Sequence, residues 1–462
     1  MSLVRQLECK ANVHLRFFGV DCWPVVRNTF MSIASHGIAV RTKKTSFVSY
    51  TKALRDFIFL FFRFKNTDAI VISDSKYIID LHGKAYYQDA SVIKKLLSES
   101  GKKCHIITQN APKRGVKSKE CSSIFFLTAF SSVVARILMR FDLRKKIPSY
   151  LVNIYSSPEF ENVDSSTKSI RQIKQNIYFV VVASFLLQML LKRIRPEKCF
   201  IVCYYSCLGM ALCVACRRLG IESVDLQHGV SGSNMRAYGQ WNNIPLTGLN
   251  TLPNSFYCWT LTDVEAINSW SAGNKHHYAF LSGSIWRQYL FEEGYLLLPE
   301  ERVLAEKVSG YKKVILYTAR NSDLPDIVLT LLKISPKDYF FMIRMHPDTP
   351  DSEIKVLEQK LKSTKCSYLL HGTTKIRIHI AAQLTDVHIT EWSATVYDVY
   401  FENSFSIVIS EIGKDYFNDF ILQGRVFYCR DVKCLSNKIE ELYKVEKCYN
   451  QILSLSELKS SL

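Results

Sequence analysis

Short apolar runs of strand length alternate along the 462-residue chain with stretches whose apolar positions recur three and four residues apart. That alternation predicts β-strands followed by α-helices. In the first half, strands are expected at 15–20, 38–41, 69–73, 104–108, 199–205 and 224–226. Helices are expected at 24–36, 47–64, 90–98, 123–141 and 166–193, with another ending near Leu219 where Gly220 stops it. In the second half, strands are expected at 279–282, 313–318, 339–345, 368–370, 387–390, 406–410 and 426–429. Helical patterns fill the gaps at 326–334, 351–363, 376–383, 394–402, 415–422 and 435–445. Strands joined by helices of this length imply right-handed crossovers and parallel sheets. The fold class expected is α/β, with two Rossmann-like lobes facing a cleft at the carboxyl ends of their strands. The expected division is a basic lobe at 1–270, a second lobe at 271–430 and a helical segment at 431–462, the boundary falling within 250–285.

Composition narrows the class. Hydrophobic residues make up 48% of the chain and aromatics 12%, which excludes a disordered protein; Gly at 18 and Pro at 12 exclude low-complexity and collagen-like chains. The charge is lopsided. Residues 1–230 carry a balance of +19, and residues 231–462 a balance of −1. A basic half points to an anionic partner: nucleic acid, a charged polymer or a membrane surface. The basic residues are scattered and match no RNA- or DNA-binding module, so no nucleic acid is expected. Two apolar stretches, 123–139 and 178–191, are interrupted or too short for a span and are expected as core helices. An interfacial helix anchored by Lys192, Arg193 and Arg195 is the alternative reading. Within 102–146 there are 11 Lys or Arg and only Glu120 and Asp142 as acids, so this segment is expected to touch an anionic membrane leaflet. The first ten residues are mixed polar, and the fourteen cysteines are expected as free thiols of a cytosolic protein. Cys213 and Cys216 have metal-like spacing without a second matching pair, so no zinc and no other cofactor is expected.

Three polar elements follow expected strands. Gln227-His228-Gly229 ends the strand at 224–226 and opens into the pliable run Val230-Ser231-Gly232-Ser233. A glycine admits a close ligand, and a histidine titrates near neutral pH. Arg344-Met345-His346-Pro347-Asp348 ends the strand at 339–343, bringing a cation and an imidazole to a strand end, with Pro347 fixing the turn. Thr390-Glu391-Trp392-Ser393-Ala394-Thr395 follows the strand at 387–389, with Ser393 expected as the N-cap of the next helix. A helix N-terminus preceded by hydroxyls suits a phosphate.

These three elements, in this order, resemble bacterial glycosyltransferases of the GT-B architecture over about 195–425. Among them are the capsular Kdo transferases, the polysialyltransferases and the teichoic-acid glycerophosphotransferases. Gln227-His228-Gly229 resembles the glutamine-histidine-glycine element of capsule enzymes, and His346-Pro347 resembles the histidine-proline motif that holds the donor nucleotide. Ser393 and Thr395 sit where those families place hydroxyls on the donor phosphate, and Glu402 falls where their following helix would run. The resemblance implies transfer of a sugar from a nucleotide-activated donor, a CMP-sugar being favoured, to a saccharide or lipid-linked acceptor of a capsule or lipopolysaccharide. It implies a cytoplasmic enzyme with peripheral contact to the inner membrane. Transfer needs groups that stabilise the departing phosphate and a base that takes the acceptor proton. Arg344, His346, Pro347, Glu391, Ser393 and Thr395 form the donor set. His228 is the first candidate base and Asp74 the second, beside Gln227 and Gly229. Protein cations in place of a metal are expected. The alternatives are transfer of a polyol phosphate from a CDP-linked donor, of the teichoic-acid type, and a non-catalytic protein that binds a polyanion or nucleic acid.

Overall fold

The computed structural model describes residues 8, 15–36, 58, 62, 66–74, 78–81, 84–109, 121–141, 167–294, 297–319, 323–346, 349–364, 366–370, 376–445, 455–459 and 462. The strand expected at 38–41, most of the helix expected at 47–64, and Pro347 lie outside them. The chain forms two compact units. The first comprises Met1–Ser231, Met235–Tyr289 and Ser454–Leu462, and the second Gly232–Asn234 and Leu290–Leu453.

The first unit is built on seven parallel strands: Ala69–Ser73, Cys104–Thr108, Cys121–Ser123, Lys198–Val202, Glu222–Leu226, Ser255–Cys258 and Tyr278–Leu281. Numbered along the chain, they lie in the order three-two-one-four-five-six-seven. The winding therefore reverses between the first strand and the fourth, where Ala69 pairs with Lys198. In the first strand every residue is buried, as a strand covered on both faces must be. Helices Phe125–Phe141, Thr167–Ile194 and Cys207–Leu219 join the amino-terminal helix Trp23–His36 around one core, which includes Trp23, Phe30, Ala135, Ile177 and Leu212. Cys199, Cys213 and Cys216 are buried in it, and burial pushes the Cys213 and Cys216 thiols up. The helix Cys207–Leu219 starts at Ser206, whose hydroxyl accepts from Gly209 N at 3.0 Å. A Cβ on Gly209 would collide with the Tyr204 carbonyl, so only glycine lets this helix approach the strand end so closely. Residues from the far end of the chain complete the unit. Leu455 and Leu458 are buried, Lys459 Nζ stands 3.3 Å from Glu99, and Lys102 donates to the Leu462 oxygen at 3.4 Å.

Six parallel strands form the second sheet: Lys313–Ala319, Tyr339–Met345, Ser367–Leu369, Val387–Thr390, Phe405–Val408 and Val426–Tyr428. Their order is three-two-one-four-five-six, with the reversal between Lys313–Ala319 and Val387–Thr390. One face carries a core of Ile315, Tyr317, Phe341, Ile389 and the Leu435 side of helix Val432–Tyr443. The other packs Leu316, Phe340 and Met342 against Leu304, Ile380 and Val399. Ser233 belongs to this unit, donating from its N and Oγ to Asp419 at 2.8 and 2.7 Å.

Both units are thus α/β and Rossmann-like, as the strand–helix rhythm requires. Some elements differ from expectation. Residues 15–20 form no single strand; Arg16–Phe17 and Val20–Asp21 pair antiparallel around Gly19, whose φ of 73° needs the left-handed region. The strand expected to open the second lobe, at 279–282, is the edge strand of the first sheet, paired with Ser255–Cys258. Residues 415–422 form no single helix but two, Glu411–Tyr416 and Asn418–Leu422.

His388 spans three strands in the second sheet. Its Nε2 lies 2.8 Å from Thr318 Oγ1, and its Nδ1 lies 2.9 Å from Ser406 Oγ. Fully buried, it is pushed down to about 3 and stays neutral where an unfolded histidine, near 6.5, would bind a proton. Between those values the unfolded chain holds the extra proton, so stability is lost as pH falls from 6.5 toward 3. We predict that His388→Gln flattens this loss, by up to about 1.4 kcal/mol per pH unit, in denaturant unfolding measured from pH 7 to pH 4. An unchanged slope would show that the imidazole titrates as it does in water.

Candidate functional site

In a doubly wound sheet, side chains that follow the strands collect at one edge, and the winding reversal opens a crevice there. In the second unit that edge holds Arg344, His346, Glu391, Ser393 and Thr395, each just past or at the end of its strand. Arg344 is the sixth residue of its strand and pairs in register with Thr318. Its Nη1 donates to the Ile376 carbonyl at 2.6 Å, burial lowers its pKa, and the nearby Asp398 carboxylate opposes that shift. His346 is exposed just past the strand, and its carbonyl accepts from Thr349 N at 2.9 Å.

On the other side of the central strand, Val387–Thr390 delivers Glu391, Trp392, Ser393 and Thr395. The Ser393 hydroxyl donates to Thr395 Oγ1 at 3.0 Å and accepts from Thr395 N at 3.2 Å. The two hydroxyls meet although Ala394 separates them. Ser393 is not the N-cap, however: the helix is Thr395–Phe401, and Ala394 occupies the cap with no side-chain bond. The hydroxyl bonds its second neighbour instead, a local turn that competes with capping. This helix has seven residues, and Glu402 lies past its end as the C-cap rather than inside it. The Glu391 carbonyl accepts from Ser410 Oγ at 2.6 Å, and the Trp392 ring meets Tyr416 edge-on at 5.6 Å. Glu391 also pushes up the buried Tyr317 phenol, which burial already raises.

The first unit brings together a second group. Gln227 is buried and acts as a clamp: its Oε1 accepts from Trp259 N at 2.6 Å, and its Nε2 donates to Gly229 O and to Asp263 Oδ2 at 2.9 and 3.2 Å. Asp263, itself buried, also accepts from Ser231 Oγ and Thr260 Oγ1, both at 2.7 Å. One carboxylate therefore holds both ends of the Gln227–Ser231 loop. His228, half-buried between them, has Nε2 3.1 Å from Tyr205 Oη, and the two rings stack with centroids 5.6 Å apart. A Cβ on Gly229 would meet nothing within 4 Å, so the space above that backbone is open. Asp74 follows the Ala69–Ser73 strand, two strands from the one that carries His228, while Tyr205 follows the strand between them.

Tyr205, Asp263, Ser410 and Gly413 were not singled out in the sequence. Asp263 had a signal, since Thr260-Leu261-Thr262-Asp263 has the spacing of a helix cap with its third-position acid. Tyr205 had none beyond ending the strand expected at 199–205. Among the described residues, no three His, Cys, Asp or Glu side chains gather where they could hold a metal.

No protein-family model matches the sequence, and no curated protein matches it. Solved structures are similar to it at low identity. One is a co-structure of S. aureus MnaA with UDP, 10% identical with a TM-score of 0.48, covering 83% of this chain and 89% of that one. Another is the Methanocaldococcus jannaschii UDP-GlcNAc 2-epimerase in complex with UDP-GlcNAc and UDP, 12% identical with a TM-score of 0.48, covering 85% and 97%. A third is CalG4, the calicheamicin glycosyltransferase, 9% identical with a TM-score of 0.43, covering 82% and 91%.

Gly413 tests how firmly the Glu391 turn is held. An added Cβ would collide with the Glu391 carbonyl oxygen, which is backbone and cannot swing away. Gly413→Ala is expected to lower stability by roughly 1–3 kcal/mol, measured by denaturant unfolding. A neutral substitution would show that the turn and the next helix separate freely.

Proposed function

We propose that the protein is a glycosyltransferase that moves a sugar from a nucleotide-activated donor, a CMP-sugar being favoured, onto a saccharide or lipid-linked acceptor of a bacterial capsule or lipopolysaccharide. The observation that carries this reading is the edge of the second sheet. Arg344 and His346 stand on one side of its first strand, and the Ser393–Thr395 hydroxyl pair on the other, at the winding reversal. A departing nucleotide phosphate gains negative charge as the glycosidic bond breaks, and a cation with fixed hydroxyl donors stabilises that charge more than the ground state. With only seven residues in the helix Thr395–Phe401, the side chains rather than a helix dipole carry this role.

The acceptor oxygen forms the new bond to the sugar carbon, the bond from that carbon to the phosphate oxygen breaks, and the hydroxyl proton goes to a base. His228 is the proposed base because Tyr205 and the Gln227–Asp263 clamp hold its ring and backbone in place. Asp74 is the second candidate.

Three outcomes are expected. His346→Ala lowers turnover by roughly 100-fold, the cost of one lost charge-stabilising donor, with the fold intact by circular dichroism. An unchanged rate on the correct donor would remove His346 from the reaction. The double change Ser393→Ala with Thr395→Val weakens nucleotide binding by at least about tenfold, whereas a purely local turn would cost thermal stability and leave nucleotide affinity alone. Screening CMP-, CDP- and UDP-linked donors for nucleotide release identifies the donor. Release of CMP from a CDP-polyol would replace sugar transfer with polyol-phosphate transfer.

A further inference from the structure

We infer that the protein docks on a bilayer with anionic headgroups through the outward faces of helices Phe125–Phe141 and Thr167–Ile194. This deepens the proposed role in surface polysaccharide assembly, on which it rests for its setting, while the surface is argued from its own chemistry. In Phe125–Phe141, Leu127, Ser131 and Ala135 turn inward to the core. Phe130, Val133, Ile137 and Phe141 do not: they are 43–69% exposed. Their spacing of three, four and four places them within an arc of about 80°. On Thr167–Ile194, Phe185 and Met189 lie one turn apart and are 48% and 59% exposed. Six large apolar side chains presented to water by two helices of one core exceed the scattered exposure ordinary for a soluble surface.

The charge on the same helices selects the occupant. Together they contain seven Lys or Arg and no Asp or Glu. Arg136 and Arg140 are exposed along one flank of the stripe, within about 60° of its edge. Lys192 is exposed at the end of the other helix, beyond Met189. An apolar stripe with a cationic flank matches the boundary between acyl chains and anionic headgroups. A second copy of this chain does not fit, because the exposed Arg136, Arg140 and Lys192 would face the same cations again. Contact is at the surface rather than through the bilayer. The stretch Ser169–Ile194 is long and apolar enough to cross, but 67% of its most apolar window is buried within the protein.

The test uses the full-length protein and cosedimentation with phosphatidylcholine vesicles, with and without phosphatidylglycerol. Binding should be roughly tenfold or more tighter with phosphatidylglycerol and should weaken as salt rises. The triple change Phe130→Ser, Ile137→Ser, Phe141→Ser should lower it by at least about tenfold. A second variant, Arg136→Gln with Arg140→Gln, keeps the test sound if the first folds poorly, and should weaken binding roughly three- to tenfold. In addition, Ile137→Trp should be quenched by brominated acyl chains. Binding unaltered by both variants, or an unquenched tryptophan on bound protein, would overturn the inference. So would a dimer in solution that the triple variant dissociates while vesicles go unbound. Transfer to a soluble acceptor is measured on the same triple variant. Intact transfer with vesicle binding lost supports docking, and vesicle binding without transfer from any donor sinks the transferase reading alone.

Discussion

Within each of the two major sheets all strands run parallel, and much else follows from that. Parallel neighbours cannot be joined by a tight turn, so each connection must climb back over a face of the sheet. The helices that do this cover both faces, which is why central strands such as Ala69–Ser73 and Lys313–Ala319 are buried along their whole length. They also force every strand to finish at one edge of its sheet. Polar segments that follow strands are thereby gathered in space however far apart they lie in the chain. In the second unit, residues as distant in sequence as Arg344 and Ser393 reach the same edge because their strands flank the same central neighbour.

That logic explains what could be read from the sequence. The strands 69–73, 104–108, 313–318, 339–345 and 387–390 were legible as apolar runs because burial on both faces leaves no other pattern. The strand Ser255–Cys258 was not, since it has only four residues, begins with a serine and carries no long apolar run. The segments that bear Gln227-His228-Gly229, Arg344-His346 and Glu391–Thr395 were visible because polar residues abruptly end such runs. What holds them was not. Asp263 lies 36 residues from Gln227, and Tyr205 lies 23 from His228, so neither partnership leaves a local pattern. The Ser393 cap was misplaced because a serine hydroxyl has two backbone solutions of similar energy, and sequence alone does not choose between them.

The loops are fastened by buried polar groups rather than by apolar packing. Asp225 accepts from Tyr204 N at 3.0 Å and Tyr238 Oη at 2.9 Å, just below His228, and burial pushes its carboxyl up to about 7 despite both bonds. Glu8 accepts from Arg27, Trp23 and Asn242 inside the first unit, with the Arg27 guanidinium 3.8 Å above the Trp241 ring. Such networks lose most of their value if a single member is missing, because the remaining groups stay buried without water. They trade stability for one defined arrangement, which suits a strand edge that must hold separate side chains in fixed places.

The return of Ser454–Leu462 to the first unit has a consequence for biosynthesis. The ribosome delivers residues 1–289 well before Leu455–Lys459, yet the first unit draws on both. Until residues 455–462 emerge, Glu99 and Lys102 lack their partners from that segment, and the apolar surface that Leu455 and Leu458 will cover is open to water. The second unit, framed almost wholly by residues 290–453, emerges complete before its predecessor. Translation order and completion order are thus inverted, and a nascent chain stalled near residue 450 would combine a finished later unit with an unfinished earlier one.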